Sequence, residues 1–325
     1  MKVARVLSVI LFASLILAAC APAVATTAPA LATTAVTQAP IATQAPIATA
    51  VPTATQVPSP TPVAQVPADQ LAQKGHLLIC TDFPYPPQEF FDANGDPQGL
   101  DIDIGNEIAN RLDLKVQYVN SVFDTIIAAV SGGKCDIILS AQNITTDRSK
   151  QIGQIPYFEA GQSMVAAKGN PDNINTTLDL CGLSAAAESG TTEADYLQGT
   201  GDYAGGKGLT QACTAAGKKP ITVVVTQKDT DALQQLQSGK VAVYFADSPV
   251  AAYYTVQNPD QFQVVGQVLE PIAEGIGVPC GAADCTNAPL SPLGQAVKTA
   301  LDSMKADGTY LKILTKFNLA NSAVK

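Results

Sequence analysis

Strand-like and helical stretches alternate along this chain from about residue 77, and the alternation begins afresh after residue 167. A parallel strand pair cannot be closed by a tight hairpin, so such a rhythm implies parallel sheets with crossover helices. Leu77–Cys80 is a short buried-strand run, followed by the loop Asp82–Pro87 and a turn signal at Asp92–Gly95. Ile104, Ile108 and Leu112 fall four apart, one apolar stripe on a helix that ends before the strand-like Lys115–Tyr118. Phe123–Ser131 reads as a second helix, closed by Gly132 and Gly133, and Cys135–Ser140 as a returning strand. Gln162–Ala167 ends this first series.

The second series has strand runs at Leu183–Ala187, Ile221–Val225, Val241–Ala246 and Phe262–Val265. Helical patterns lie between them, most plainly at Asp229–Ser238 and Ser248–Gln257. An amphipathic helix carrying Leu293, Val297, Leu301 and Met304 follows, then Tyr310–Phe317. Residues 74–325 are too many for one hydrophobic core and comfortable for two. The expected fold is α/β with two lobes.

The N-terminus reads as an address. Lys2 and Arg5 precede an apolar run, Val6–Ala19, that is shorter than the roughly 20 residues of a spanning helix. Leu17-Ala18-Ala19-Cys20 resembles the bacterial lipobox, in which the chain is cut before a lipidated cysteine. Residues 1–19 are thus expected to be a signal peptide and Cys20 a lipid anchor, since two or three acyl chains hold a protein stably at a membrane. Ala21–Pro67 carries no charged residue and contains a tandem Gln-Ala-Pro-Ile-Ala-Thr repeat at 38–43 and 44–49. A segment of this composition buries no core, and residues 20–73 read as a tether spanning about 40 Å. The protein is expected outside the cytoplasm, held to the cell membrane by this anchor alone.

The net charge is −9, and loss of Lys2 and Arg5 with the signal peptide makes it −11. An acidic body without a basic cluster speaks against nucleic acid and anionic lipid surfaces as partners. Apart from Cys20 there are six cysteines, an even number in an oxidising compartment. Cys280 and Cys285 bracket a tight loop, and Cys181 and Cys213 share one segment; both are disulfide candidates. Cys80 ends one apparent strand and Cys135 begins another, so the sequence leaves the pairing of these two open. No metal site is expected, because the single histidine, His76, is remote from the cysteine pairs.

Gly201–Gly208 nearly spells a phosphate-binding loop, but Gly208 stands where the Mg²⁺-binding hydroxyl belongs, and a surface loop is expected. A nucleophilic triad fails on His76, which lies ahead of the first strand. What remains is a set of polar and aromatic residues at strand ends, where α/β sheets place ligands. Asp82 and Tyr85 follow the first strand, Phe123 opens a helix, Ser140 ends a strand, and Asn143 and Arg148 come shortly after. In the second half Thr191 and Thr192 follow a strand, and Asp247 ends another. A free amino acid needs partners of this kind: a guanidinium for its carboxylate, a carboxylate and hydroxyl oxygens for its ammonium, aromatic walls for its side chain. Glu188 and Glu193, which flank the Ser189–Thr192 loop, read as solvated surface.

Six blocks in order carry a resemblance to the family-3 (polar amino acid) solute-binding proteins of ABC transporters. They are Thr81–Pro87, Gly99–Asp103, Gly133–Ser140 with Ile144–Arg148, Ser189–Thr192, Gly239–Pro249 and Met304–Tyr310. The resemblance implies a two-lobed, periplasmic-binding-protein-like (type II) fold, each lobe a mostly parallel sheet flanked by helices. It places lobe 1 at 74–167 and 270–325 and lobe 2 at 168–269, with crossovers near Ala167 and Glu270. It implies that Arg148 and Thr192 hold a ligand carboxylate and that Asp247 and Ser140 hold its ammonium. Tyr85 and Phe123 would sandwich the side chain, with Asp82 at its far end. Ala141, Gln142 and Asn143 depart from the family's usual residues. The implied partners are a small amino acid and a transporter permease, with no cofactor and a monomeric state. Two competing readings share the fold: a cyclohexadienyl dehydratase, with Glu188 or Glu193 as general acid if burial raises its pKa, and a ligand-sensing module.

Overall fold

The computed structural model describes residues 63–269 and 271–324. The signal peptide, Cys20 and the tether up to residue 62 lie outside the described residues. In chain order the elements are β1 (His76–Thr81), a small hairpin of β2 (Phe90–Phe91) and β3 (Pro97–Gln98), α1 (Leu100–Arg111) and β4 (Lys115–Asn120). A 3-10 turn at Phe123–Thr125 leads into α2 (Ile126–Ser131), followed by β5 (Ile137–Ile138), α3 (Thr146–Gln151) and β6 (Gly153–Ala160). Next come β7 (Gln162–Ala167), β8 (Ser184–Glu188), α4 (Thr192–Gln198), α5 (Leu209–Ala215) and β9 (Thr222–Thr226). After α6 (Asp229–Gln237), β10 (Val243–Asp247), α7 (Ser248–Gln257) and β11 (Phe262–Val265), the chain closes with β12 (Ile272–Val278), α8 (Pro292–Ala306) and α9 (Thr309–Lys316).

These strands form two five-stranded sheets, ordered β4-β1-β5-β12-β6 and β11-β7-β10-β8-β9. In each sheet four strands share a direction and one opposes them, β12 in the first and β7 in the second. The opposing strand is in both cases the one entered directly after the chain passes between sheets. Alternation along each strand fills two faces. Leu77 and Ile79 pack under α1, α8 and α9, while Cys80 turns to a smaller cluster with Ile126 and Val130 of α2. In the second sheet Met164, Ala185 and Val243 face α4 and α5, and their neighbours Val165, Ala186 and Tyr244 face α6 and α7. The stripe Ile104, Ile108 and Leu112 is buried against the first sheet, as its spacing predicts.

Two expectations are corrected. Gln162–Ala167, assigned above to the first lobe, is β7 of the second sheet, so the chain crosses at Gly161 rather than near Ala167. Gly161 is where the two connecting segments run side by side: Leu269 donates its N–H to Gln162 O at 2.9 Å, and a Cβ on Gly161 would lie 2.5 Å from Leu269 O. Residues 63–73, read as tether, lie on the first lobe instead. Ala64, Val66 and Leu71 pack on its core, and the Ala72 N–H donates to Asp136 Oδ1 at 2.7 Å. Cys80 and Cys135, whose pairing the sequence leaves open, form a bridge with Cα atoms 5.6 Å apart. β1 and β5 are neighbours, and both cysteines point into the cluster beneath α2. The bridges Cys181–Cys213 and Cys280–Cys285 form as expected. Last, β6 and β12 carry no clear sequence signal. Pro156 interrupts β6 opposite a register irregularity at Glu274–Gly275, tolerable because β6 is an edge strand.

Candidate functional site: the cleft between the lobes

The two sheets direct strand C-termini at a common cleft. Asp82 follows β1, Ser140 follows β5, Glu188 ends β8 and Asp247 ends β10. Around them close Tyr85, Phe123, Asn143, Arg148 and Thr191, with Glu89, Ala141 and Glu193. About 300 Å³ of empty space, part of it open to solvent, lies among these residues.

Arg148 is held by α3. Thr145 caps that helix by accepting the Arg148 N–H at 3.1 Å, which places the guanidinium inward. Nη1 donates to Asn143 O at 2.7 Å, and Nη2 crosses to the second lobe and donates to Gly190 O at 2.8 Å. Its Cζ stands 5.3 Å from the centre of the Phe123 ring, a cation–π contact. A guanidinium has five N–H donors, so these bonds leave others for a ligand.

Other contacts join the lobes. Thr192 Oγ1 donates to Asn143 Oδ1 at 2.6 Å and accepts from Gln162 Nε2 at 2.7 Å. Asn143, one of the departures from the family's usual residues, thus supplies an amide long enough to bridge the cleft. Thr191 caps α4 through the Ala194 N–H at 3.2 Å and donates to Glu188 O at 2.7 Å. Tyr85 Oη donates to Asp247 Oδ2 at 2.9 Å. Asp82 uses both oxygens: Oδ2 accepts the Phe123 N–H at 2.7 Å, and Oδ1 pairs with the ammonium of Lys228 from the second lobe.

The cleft is acidic. Asp82, Glu89, Glu188, Glu193 and Asp247 line it, all at most 6% exposed, against one lining cation, Arg148. Burial pushes the Glu188 carboxyl up to about 10, helped by the nearby charges of Asp229 and Asp82. Burial also raises Asp247 well above the usual carboxylate range, with Glu193 and Glu274 adding to it. Glu89 is raised by burial and by Asp101, and Glu193 by burial against the pull of Arg148. Glu188 Oε1, Glu193 Oε1, Glu89 Oε2 and Asp247 Oδ1 are buried and have no hydrogen-bond partner among the described residues. A buried polar oxygen left unpaired is costly.

Every sequence-expected cleft residue comes to this region. Asp82, Tyr85, Phe123, Ser140, Asn143, Arg148, Thr191 and Asp247 line the cavity, and Thr192 stands behind them, bonded to Asn143. The surface reading of Glu188 and Glu193 is overturned, because they are 6% and 2% exposed and line the cavity. Glu188 had a usable signal, being the charged last residue of a strand in a mostly parallel sheet. Glu89 and Lys228, in loops without pattern, had none.

Two α/β lobes closing on a cleft of converging polar groups define a solute-binding protein of the two-lobed kind. The chain belongs to the bacterial extracellular solute-binding proteins, family 3, which it matches over residues 77–320. It is 28% identical to ABC transporter arginine-binding protein 1 of Escherichia coli (strain K12) over 230 residues, 70% of this chain and 85% of that protein. Among solved structures it is similar to an ancestral arginine-binding protein bound to arginine, at 33% identity and TM-score 0.65, covering 75% of this chain and 99% of that one. It is also similar to the ancestral amino acid-binding protein AncCDT-1, a precursor of cyclohexadienyl dehydratase, at 30% identity and TM-score 0.63, covering 75% and 95%. Among the described residues no helix is long and apolar enough to cross a membrane.

Proposed function

We propose that this chain is the extracytoplasmic amino-acid-binding component of an ABC transporter, and that its solute is an α-amino acid with a basic side chain. The observation that carries the basic class is the excess of buried carboxylates lining the cavity, among them Glu188 with Oε1 unpaired. The named relatives that bind arginine support the same class. Arg148 and Thr192 take the solute carboxylate. Asp247 Oδ1, free of the bond that Tyr85 makes to Oδ2, takes the ammonium. Ser140 Oγ, which donates to Glu89 at 2.6 Å and accepts from the Asp82 N–H at 2.9 Å, keeps a second lone pair for that ammonium. Tyr85 and Phe123 flank the aliphatic stem, and Asp82 and Glu188 face the terminal cation. Because contacts come from both lobes, the solute favours the closed arrangement, with Gly161 at the hinge. The protein acts as a monomer, lipid-anchored through Cys20 and lifted from the membrane by its tether.

A dehydratase reading has one observation in its favour, the protonated Glu188 in the cavity, which suits a general acid. The relatives are named as binding proteins. Calorimetric titration of the purified protein with the twenty amino acids and with arogenate separates the readings. Saturable binding of arginine or lysine is expected. Turnover of arogenate, or no binding of any amino acid, would overturn the proposal.

A further inference from the structure

Lys228 lies between β9 and α6 on the second lobe, where nothing in the sequence pattern distinguishes it from a surface lysine. Its ammonium nevertheless reaches across the cleft. It pairs with Asp82 Oδ1 and donates to Phe83 O at 3.2 Å, both on the first lobe. The other Asp82 oxygen is taken by the Phe123 N–H at 2.7 Å, so Asp82 has both oxygens committed and its charge matched from within. The Lys228 side chain is 28% exposed, against 5% for Asp82. The ammonium thus meets a cavity-lining carboxylate from the partly exposed side of the cleft.

We propose that Lys228 is a specificity-determining residue: a tethered cation that occupies Asp82 in competition with the solute's terminal cation. This rests on the amino-acid-binding reading. With Lys228 in place, a cationic side chain has only Glu188 left as a charge partner, and Glu188 must give up its proton to serve. An uncharged side chain of the same shape meets no such demand, because the Lys228–Asp82 pair leaves no bare anion beside it. Lys228 therefore compresses the preference for a guanidinium over its neutral isostere. Removing the ammonium frees Asp82 for a guanidinium and penalises a neutral side chain, which would leave a buried carboxylate uncompensated. The pair also joins the two lobes and so aids closure for every solute. That common contribution cancels when two solutes are compared on one protein.

The test is the ratio of dissociation constants for citrulline and arginine, which share shape and differ in charge. It is measured calorimetrically on the full chain, for the wild type and for Lys228→Met and Lys228→Arg. Lys228 makes no capping bond to α6 and is partly exposed, so both variants should fold. In Lys228→Met the ratio should move toward arginine by about tenfold or more, the scale of one charge-assisted hydrogen bond. Lys228→Arg, which keeps the cation, should stay near the wild-type ratio. An unchanged ratio in Lys228→Met, or loss of both affinities by the same factor, would reduce Lys228 to a closure contact and overturn its role in specificity. Wild-type protein that binds neither solute would overturn the inference, and wild-type protein that binds no amino acid at all would sink the functional reading with it.

Discussion

The hydroxyl of Tyr85, on the first lobe, donates to Oδ2 of Asp247, on the second, at 2.9 Å, and the Asp247 N–H returns to the Tyr85 oxygen at 3.2 Å. The reciprocal pair holds the Tyr85 ring across the cleft and leaves Asp247 Oδ1 unpaired and buried. On the proposed function these residual valences would serve a zwitterion, Asp247 Oδ1 for the ammonium and the remaining Arg148 donors for the carboxylate.

Arg148→Ala should weaken binding of any α-amino acid by at least about 100-fold, because the buried solute carboxylate loses its charged partner. Isothermal titration measures this directly. Affinity within a few-fold of the wild type would contradict the assigned role.

Gly190→Ala should impair closure more than folding. Gly190 has φ +77°, and a Cβ there would stand 2.7 Å from the Asp124 Cα of the opposite lobe. The clash exists only when the lobes meet. Solute affinity should fall at least about tenfold, while the unliganded variant loses only about 1 kcal/mol of stability from the left-handed backbone. Small-angle scattering should show a diminished solute-induced contraction. Unaltered affinity would mean that the closed contact at Gly190 is not required.

Stability without solute should fall as pH rises. Burial pushes Asp101 and Asp229 up to about 7 from an ordinary value of 3.8, and Glu188 up to about 10 from 4.5. A carboxyl whose folded pKa is raised contributes fully below its unfolded pKa, and that contribution is lost as pH climbs through the folded one. Urea unfolding should therefore show a decline between pH 4 and 7 that continues at higher pH, and Glu188→Gln should flatten the later part. A rise in stability across that window would contradict the protonated cleft.

The three disulfides should not contribute equally. Cys80–Cys135 closes a sequence separation of 55 and Cys280–Cys285 one of 5. Loop-closure entropy makes the first worth about 4 kcal/mol and the second about 2 kcal/mol. Paired Cys→Ser variants compared by urea unfolding should preserve that order. A larger loss at Cys280/Cys285 would contradict it.

Much of the fold was legible because apolar period and strand–helix alternation carry it: β1, α1, β10 and α8 stand where their patterns place them. What escaped was set by tertiary context. Pro156 and the glycines 275 and 277 hide two strands whose pairing depends on each other. The crossover at Gly161 leaves no local mark, because β6 and β7 read as one region until their sheets are known. In the site, residues with chemistry at strand ends were found. Glu188 and Glu193 were misassigned because a carboxylate in sequence looks the same whether solvated or buried. Lys228 was invisible for the same reason, and its partner Asp82 lies 146 residues away.

The most direct measurement is a calorimetric comparison of arginine with citrulline on the wild-type protein. An acidic cavity end that selects a terminal cation predicts tighter binding of arginine, by about tenfold even with Lys228 competing. Equal affinities, or a preference for citrulline, would show that the buried carboxylates do not recognise a basic side chain.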